Sequence, residues 1–473
     1  MKYFKLLTLL AFIGINLNAQ NKTQLEKNDP ENDTYVIKKV NIIPMTKDNK
    51  VIENATIVIK DKIIQSINGP IPANAKTING KGKWLIPGLI DMHVHNLVDG
   101  PYISYPTKGP AMHFDTQNFM TLYVANGVTT VFELSARAEH IGQRNEIIRG
   151  NVIGPRIALA ALIDGGNANM TATTPSDGRQ TVRLAKGEGY EFVKVYSQLE
   201  KETFKAIVDE AEKQNMKVVG HIPNAFEGHT EEAFVPHFDL VAHAEEFSKQ
   251  TDEYTDKEAE RFAKMSKKNG TWLIPNLSNL VYIAKQARSL DSVRNLESFK
   301  YVHPLMQSKW IVSNQYNKGT SAKRIAYFDK LVEFHVKIVK AFKKEGVPMV
   351  AGTDAGTSGI VWGFSLHNEL ELLADAGLTN EEALASATRL GAEWLGIDDK
   401  IGTIETGKFA DLILLDQNPL DNISNTQEIS GVFVNGKWVD RNKIDAMLSR
   451  VGKWNNAHKE TYHWKEFLNS LKN

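Results

Sequence analysis

Short apolar runs alternate with longer segments of helical periodicity through the middle of the chain. The runs are rich in β-branched residues and are bounded by turn residues, which is typical of buried strands. Between two of them, residues 202–216 place apolar side chains at Phe204, Ile207, Val208 and Ala211, the spacing of an amphipathic helix. The eight runs are Trp84–Met92, Gly127–Leu134, Arg156–Ile163, Phe192–Tyr196, Val218–Ile222, Leu240–Ala244, Thr271–Ile274 and Val347–Gly352. Such alternation predicts an α/β fold, a parallel (β/α)₈ barrel of the TIM type, with the active site at the carboxyl ends of the strands.

The two ends of the chain have a different pattern. Residues 34–85 and 400–440 contain short apolar runs separated by turn residues such as Asn68-Gly69-Pro70. We therefore predict one accessory β-sandwich built from both termini. The barrel is assigned to residues 86–399, and residues 441–473 are predicted to form a C-terminal helical tail.

Residues 279–346 break the regular spacing between the seventh and the eighth run. One barrel helix suffices there, so the excess is predicted to be a helical insertion. Its aromatic and histidine side chains are Tyr282, Tyr301, His303, Trp310, Tyr316, Tyr327 and Phe328. Either they pack extra helices onto the outer ring of the barrel, or they belong to a lid that excludes water and contacts the substrate.

The N-terminus resembles a secretory signal. A short basic segment, Met1–Lys5, precedes an apolar run, Leu6–Ile15, and small and polar residues follow to Gln20. This run is too short to span a bilayer, so residues 1–20 are predicted to be a signal peptide, and the protein to be periplasmic or secreted. A buried N-terminal helix is the alternative. Residues 21–33 are polar and are predicted to be disordered.

Composition excludes some classes of partner. Lys and Arg together number 56, as do Asp and Glu, so the formal net charge is zero. This balance gives no electrostatic reason to expect nucleic acid or an anionic membrane as partner. No cysteine occurs, so no disulfide can form. A small-molecule substrate and no membrane span are expected, and a homo-oligomer stays open.

Histidines end three of the predicted strands. His93 and His95 end the first run, and because alternate residues of a strand point to the same side, both imidazoles can reach one metal ion. An isolated pair of this kind is common by chance. His221 and His243 end the fifth and sixth runs. A single histidine there is more often a hydrogen-bonded core residue, but two on consecutive strands beside the first pair favour a metal site.

A carboxylate and a lysine complete the candidate site. Asp354 follows the eighth run within Gly352-Thr353-Asp354-Ala355-Gly356, and it suits a metal ligand and proton acceptor, with a helix N-cap as the alternative. Lys194 lies inside the apolar fourth run, where an unpaired ammonium is costly. It either forms a salt bridge to a barrel carboxylate or reacts with carbon dioxide to give a carbamate that bridges two cations.

Three segments resemble the amidohydrolase superfamily. They are Pro87-Gly88-Leu89-Ile90-Asp91-Met92-His93-Val94-His95, the Gly352–Gly356 segment, and His367-Asn368-Glu369-Leu370 with its continuation through Ile401–Leu412. The resemblance extends over about residues 35–440 and is nearest to the imidazolonepropionase-like and exported prolidase-like branches. Lys194 favours the two-metal branch, because the single-metal imidazolonepropionases lack a lysine on the fourth strand.

The resemblance implies a binuclear metal centre. His93 and His95 would bind the more buried ion, and Lys194 as a carbamate would bridge. His221 and His243 would bind the second ion. Asp354 would bind the first ion and accept the proton of the attacking water. Zinc is the default ion for such a set of ligands, with Mn²⁺ or Co²⁺ as substitutes.

Two departures leave the substrate open. The second run ends Phe132-Glu133-Leu134, where many relatives carry an Arg-Asp pair, and the sixth ends His243-Ala244-Glu245-Glu246 instead of Glu-His-Gly. Both differences are expected to face the substrate. Tyr196 should lie on the same side of its strand as Lys194, where it either stabilises the oxyanion or packs.

The leading hypothesis for function is hydrolysis of an amide in a small peptide-like or N-acyl amino acid substrate. Hydrolysis of a lactone or a cyclic amide is the second hypothesis, because the same metal ions would serve it. The third is an exported binding protein that keeps the fold without catalysis. The presence of all six candidate residues argues against this last hypothesis.

Overall fold

The computed structural model describes residues 34–98, 114–166 and 170–470. The predicted signal peptide and the polar stretch at residues 21–33 lie outside these ranges, so both stay predictions. Within the described ranges, no helix is both long enough and apolar enough to cross a membrane.

The secondary structure alternates as the sequence pattern predicts in the middle of the chain. The strands are β1 (Tyr35–Ile42), β2 (Ile52–Lys60), β3 (Ile63–Ile67), β4 (Lys76–Asn79), β5 (Trp84–Pro87), β6 (Leu89–Val94), β7 (Val128–Glu133), β8 (Arg156–Asp164), β9 (Met170–Thr171), β10 (Phe192–Val195), β11 (Lys217–Gly220), β12 (Phe238–Ala242), β13 (Trp272–Ile274), β14 (Leu412–Leu415), β15 (Ile429–Val434) and β16 (Lys437–Asp440). The α-helices are α1 (Thr116–Ala125), α2 (Ala138–Ile148), α3 (Pro175–Glu188), α4 (Lys201–Lys213), α5 (Glu245–Ser248), α6 (Asp256–Asn269), α7 (Leu277–Arg288), α8 (Asp291–Arg294), α9 (Pro304–Val312), α10 (Ala322–Glu345), α11 (Phe364–Asp375), α12 (Asn380–Ser386), α13 (Arg389–Leu395), α14 (Arg441–His458) and α15 (Trp464–Ser470).

Strands from both ends of the chain form the accessory β-structure. They make one eight-stranded sheet in the order β16-β15-β14-β5-β1-β2-β3, with β4 beside β1. Most neighbours are antiparallel, as where Leu414 of β14 lies opposite Leu85 of β5. Buried aliphatic and aromatic side chains from both termini, including Ile57 and Phe433, form its apolar core. The prediction of an accessory β-structure built from both termini is confirmed.

The first predicted run divides into two strands at Gly88. Pro87 pairs with Leu412 in the accessory sheet, whereas Leu89 pairs with Val128 in the barrel. A side chain at position 88 could not be accommodated, because a Cβ atom there would lie 2.0 Å from Oγ1 of Thr129. The prediction of a single strand over Trp84–Met92 is therefore wrong: the glycine lets the chain leave one sheet and enter the other.

The barrel is confirmed, and its last strand is irregular. Parallel strands run in the order β13-β12-β11-β10-β8-β7-β6, with the short β9 beside β8. The eighth predicted run, Val347–Gly352, forms one isolated bridge, between Met349 and Leu273, instead of a continuous strand. Val350 N donates to Leu273 O on one side at 3.0 Å, and Met92 N donates to Ala351 O on the other at 2.9 Å. This segment therefore closes the barrel between β13 and β6.

The predicted insertion is mostly helical, with short loops between its helices. Helix α7 begins three residues after β13, and α10 packs against both α6 and α7, which makes α10 the barrel helix before the eighth segment. The shorter helices α8 and α9 lie between α7 and α10 along the chain. In the predicted tail, α14 packs against α1 and α15 packs against α9. The division of the chain into domains at the predicted boundaries stays a prediction.

Candidate active site

Three of the predicted ligands meet at the carboxyl ends of β6 and the eighth segment. Nε2 of His95 lies 3.0 Å from Oδ1 of Asp354, and Nε2 of His93 lies 3.3 Å from the same oxygen. The two Nε2 atoms are 3.3 Å apart. One candidate ligand atom from each residue lies within 4.8 Å of the others. This is a site in which one divalent ion can be held.

The remaining predicted ligands surround this trio. The ring of His243 lies 4.7 Å from that of His93 and 5.1 Å from that of His221, measured between centroids. Burial lowers the pKa values of these three histidines well below their usual range, and the nearby charge of Lys194 lowers them further. Neutral imidazole is the form that binds metals.

Lys194 lies inside the barrel on β10, and its charge acts on His93, His221 and His243. Its side chain is 1% exposed. Burial lowers the pKa of its amine to about 8, against the opposing attraction of Asp354 and Glu246. A pKa of about 8 leaves about a tenth of the amine uncharged at pH 7, far more than for an ordinary lysine, and the uncharged amine is the form that can react with carbon dioxide. The structure thus brings all six strand-end residues together.

Buried side chains orient two of the histidines at their second ring nitrogen. Oε1 of Glu133 lies 3.6 Å from Nδ1 of His95, which leaves Nε2 facing Asp354. Nδ1 of His93 lies 3.4 Å from Oδ1 of Asn276. Such partners fix the orientation of a metal-binding imidazole.

His221 is held in the same manner. Its Nδ1 lies 2.8 Å from Oγ of Ser197 and 3.2 Å from Oε1 of Glu246. Its Nε2 is buried and has no hydrogen-bond partner in the described part of the chain. A buried nitrogen without a partner costs stability unless a ligand pairs with it. This nitrogen, together with the imidazole and carboxylate donors around it, fits a divalent metal ion.

Glu133 and Glu246 correct the expectation that both departures from the family pattern face the substrate. Their side chains are each 1% exposed and contact His95 and His221. Glu133 ends β7, so the rule that polar residues at strand ends carry function could have identified it. Glu246 lies inside the short helix α5, where no sequence pattern distinguishes it from Glu245.

Strained backbone accompanies the site. His243 has φ of 80°, Asp354 has φ of 61° and Asn276 has φ of 50°, the left-handed region that costs a non-glycine residue about 1–3 kcal/mol. Gly352 is required by close approach, because a Cβ atom there would lie 3.0 Å from the backbone nitrogen of His93. Strain of this kind is concentrated at functional sites.

The sequence was compared with models of known protein families. The family model of the amidohydrolase family matches residues 84–439. The chain belongs to the amidohydrolase family. It is an enzyme that hydrolyses carbon–nitrogen bonds, as the named hydrolases among its relatives also indicate.

Three known proteins are similar to this amidohydrolase over most of its length. Ochratoxinase of Aspergillus niger is 23% identical over 483 residues, which cover 89% of this chain and 90% of that protein. Imidazolonepropionase of Thermoplasma volcanium is 24% identical over 407 residues, which cover 83% and 92%. The structure of a Xaa-Pro dipeptidase with bound methionine in the active site has a TM-score of 0.65 at 22% identity, covering 86% of this chain and 100% of that one.

A further carboxylate fastens the eighth segment of this amidohydrolase to β6. Asp91 is fully buried and accepts hydrogen bonds from Thr353 N at 3.0 Å and from Thr353 Oγ1 at 2.7 Å. Burial raises the pKa of Asp91 to about 7. Since His93 and Asp354 adjoin these residues, this contact sets the distance between the two strand ends.

Tyr196 lies beside the candidate ligands. Its ring centroid is 4.1 Å from that of His221, and 38% of the residue is exposed. Burial raises the pKa of its hydroxyl, with a further contribution from the charge of Asp354. Tyr196 therefore packs on a histidine and still reaches solvent at the mouth of the site, and its role in oxyanion stabilisation stays a prediction.

The aromatic residues of the insertion divide into two groups. Tyr301 stacks on Phe364 with ring centroids 5.6 Å apart. The ring of His303 lies 5.4 Å from that of Trp454 in the helical tail. Tyr316 is different: it packs against the small apolar cluster of Leu280, Ile283 and Leu331, and burial raises the pKa of its hydroxyl, with a contribution from the charge of Asp354.

Proposed function

We propose that this amidohydrolase cleaves an amide bond in a small peptide-like or N-acyl amino acid substrate with the help of two divalent metal ions, most simply zinc. In this proposal His93, His95 and Asp354 would hold one ion, His221 and His243 would hold the other, and Lys194 as a carbamate would serve both. The observation that carries the proposal is the meeting of Nε2 of His93, Nε2 of His95 and Oδ1 of Asp354 within 4.8 Å.

Electrostatics supports a charged cofactor here. His93, His221 and His243 are uncharged beside a buried lysine, so carboxylation of Lys194 would add anionic oxygens to the carboxylate of Asp354 where two cations need them. Bound divalent ions lower the pKa of water and polarise a carbonyl group. The proposed carbamate also removes the cost of burying an ammonium group.

The chain's own groups would then move the proton. Asp354 accepts a proton from the attacking water and returns it to the departing amine, so that one carboxylate serves as base and then as acid. Tyr196, at the mouth, donates a hydrogen bond to the carbonyl oxygen as negative charge develops on it. Glu133 and Glu246 keep the imidazoles oriented throughout.

The preference for an amide of peptide-like type rests on similarity. The chain resembles a Xaa-Pro dipeptidase and an ochratoxinase over nearly their full lengths. We also propose export, with cleavage of residues 1–20, on the basis of the basic and apolar segments at Met1–Ile15.

The experiment is a substrate panel on protein with measured metal content. N-acyl amino acids, dipeptides, lactones and cyclic amides would be compared before and after removal of metal by a chelator. We expect hydrolysis of the amides that is lost on chelation and restored by Zn²⁺. Undiminished hydrolysis in metal-free protein, or turnover of lactones alone, would reject the proposal. N-terminal sequencing of the protein from its own cell envelope tests export.

A further inference from the structure

One carboxylate oxygen of Asp354 is held by a residue that the mechanism above does not use. Nδ2 of Asn279 donates a hydrogen bond to Oδ2 of Asp354 at 2.6 Å. The other oxygen, Oδ1, faces His93 and His95 at 3.3 and 3.0 Å. The two oxygens are thus divided between an amide donor and the histidine pair, and the donor fixes the plane of the carboxylate.

Asn279 stands on the first turn of α7, and another helix anchors that turn. Glu369 of α11 accepts hydrogen bonds from Leu277 N at 2.9 Å and from Ser278 N at 2.7 Å. Its side chain is completely buried. A carboxylate placed on the free N–H groups of a helix start satisfies them and opposes the positive end of the helix dipole.

The hydrogen bonds between Glu369 and the first turn of α7 are explained better by a role in the site than by a purely structural role. Asn276, which precedes α7, adopts a left-handed backbone and places its Oδ1 near His93. Oδ1 of Asn279 is buried without a hydrogen-bond partner among the described residues. Both features cost stability, and both lie on the turn that contacts the candidate ligands.

We propose that Asn279 is a positioning residue that holds Asp354 in the orientation required for metal binding and proton transfer, and that Glu369 holds the turn that carries Asn279. The inference rests on the proposed function for the role of Asp354. It also connects the His367-Asn368-Glu369-Leu370 segment with the site, because its glutamate acts there through the first turn of α7.

The test compares Asn279→Ala, Glu369→Gln and the double variant with wild type. Asn314→Ala is the matched control, because Asn314 is a similarly buried asparagine of the insertion that bonds to Gln286 and Trp310 and contacts no candidate ligand. Each protein is loaded with Zn²⁺. Three quantities are measured: kcat and KM on the best amide of the panel, the rate of zinc release to a chelator, and the melting temperature.

We expect Asn279→Ala to lower kcat on the order of tenfold with KM within about twofold, and to release zinc several times faster. Glu369→Gln should act in the same direction, with little further effect in the Asn279→Ala background, because both changes act through one contact. Asn314→Ala should lower only the melting temperature. If Glu369→Gln does not fold, the comparison of Asn279→Ala with Asn314→Ala decides.

Two results would overturn the inference. One is kcat and zinc release within twofold of wild type in folded Asn279→Ala. The other is a reduction of kcat by Glu369→Gln that is equally large in both backgrounds. Failure of the proposed function looks different: wild type would hydrolyse no amide of the panel, and the zinc-release series would still show whether Asn279 positions Asp354.

Discussion

Replacement of Asp354 by asparagine isolates the proton transfer from the rest of the site. Asp354 is 6% exposed, and its Oδ1 faces two imidazoles while Oδ2 accepts from Asn279. In the variant, an amide oxygen can still accept from Asn279, but its NH₂ group then faces the histidines. The variant therefore loses a base and weakens one ligand position while the volume of the side chain is kept.

The expected magnitude follows from the number of steps that use the carboxylate. General acid–base catalysis is worth about 10²–10⁴ in rate, and here one group would serve both the attack and the departure of the amine. We expect kcat to fall on the order of 10² or more, which corresponds to about 2.7 kcal/mol of lost transition-state stabilisation. Stability should change little, since the hydrogen bond from Asn279 survives.

The assay is steady-state hydrolysis with metal content measured on the same samples. Asp411→Asn is a matched control. Asp411 is also 6% exposed, but it pairs at 2.9 Å with Arg156, which begins β8 at the end of the barrel opposite to the strand ends that carry the candidate ligands. The control should lose thermal stability and keep its turnover. Turnover of folded, metal-loaded Asp354→Asn within about threefold of wild type would refute the assignment of Asp354 as proton carrier.

Three further predictions concern Lys194, Glu369 and Tyr316. Purified wild type should contain close to two divalent ions per chain, and Lys194→Ala should lose at least one by elemental analysis; one ion in fully loaded wild type would contradict the bridging role. Burial raises the pKa of Glu369 from 4.5 to about 7, so the folded state binds this proton more tightly than the unfolded state does. The free energy of unfolding, measured by urea denaturation, should therefore fall as pH rises from about 4.5 to about 7. The Glu369→Gln variant should flatten that slope. An unchanged slope would show that this carboxyl does not titrate between those values. Tyr316→Ala should change the ratio of kcat/KM between large and small substrates with metal content unaltered, whereas Tyr301→Ala should lower only the melting temperature; a shift in that ratio for Tyr301→Ala would place it in the substrate pocket.

The alternation of runs in the sequence was sufficient for the barrel, because strand and helix periodicities are local properties of the chain. It was insufficient at two places. The run at Trp84–Met92 is apolar throughout, so nothing local marks Gly88 as the point where one sheet ends; the close approach of Thr129 does. The run at Val347–Gly352 has the composition of a strand, yet closure of the barrel leaves it a single isolated bridge, between Met349 and Leu273.

The candidate ligands could be found from sequence because each of them ends or interrupts an apolar run, and a barrel brings the ends of its strands together. Most of their supporting residues could not. Asn279 and Asp354 are 75 residues apart, and Glu369 caps a turn 92 residues earlier. Neither contact follows from a periodicity, and the motif that contains Glu369 does not identify the turn that Glu369 caps.

The sequence by itself thus determined the fold and the positions where chemistry can occur, since hydrophobic periodicity sets which side chains face the interior of the barrel. The tertiary structure alone decided which buried partners orient those side chains. Glu133 and Glu246 are acidic residues that composition would assign to the surface, and their burial is explained by contacts with His95 and His140 for Glu133 and with His221 and Lys249 for Glu246. A buried carboxylate is tolerated where a donor meets it, and that donor comes from another part of the chain.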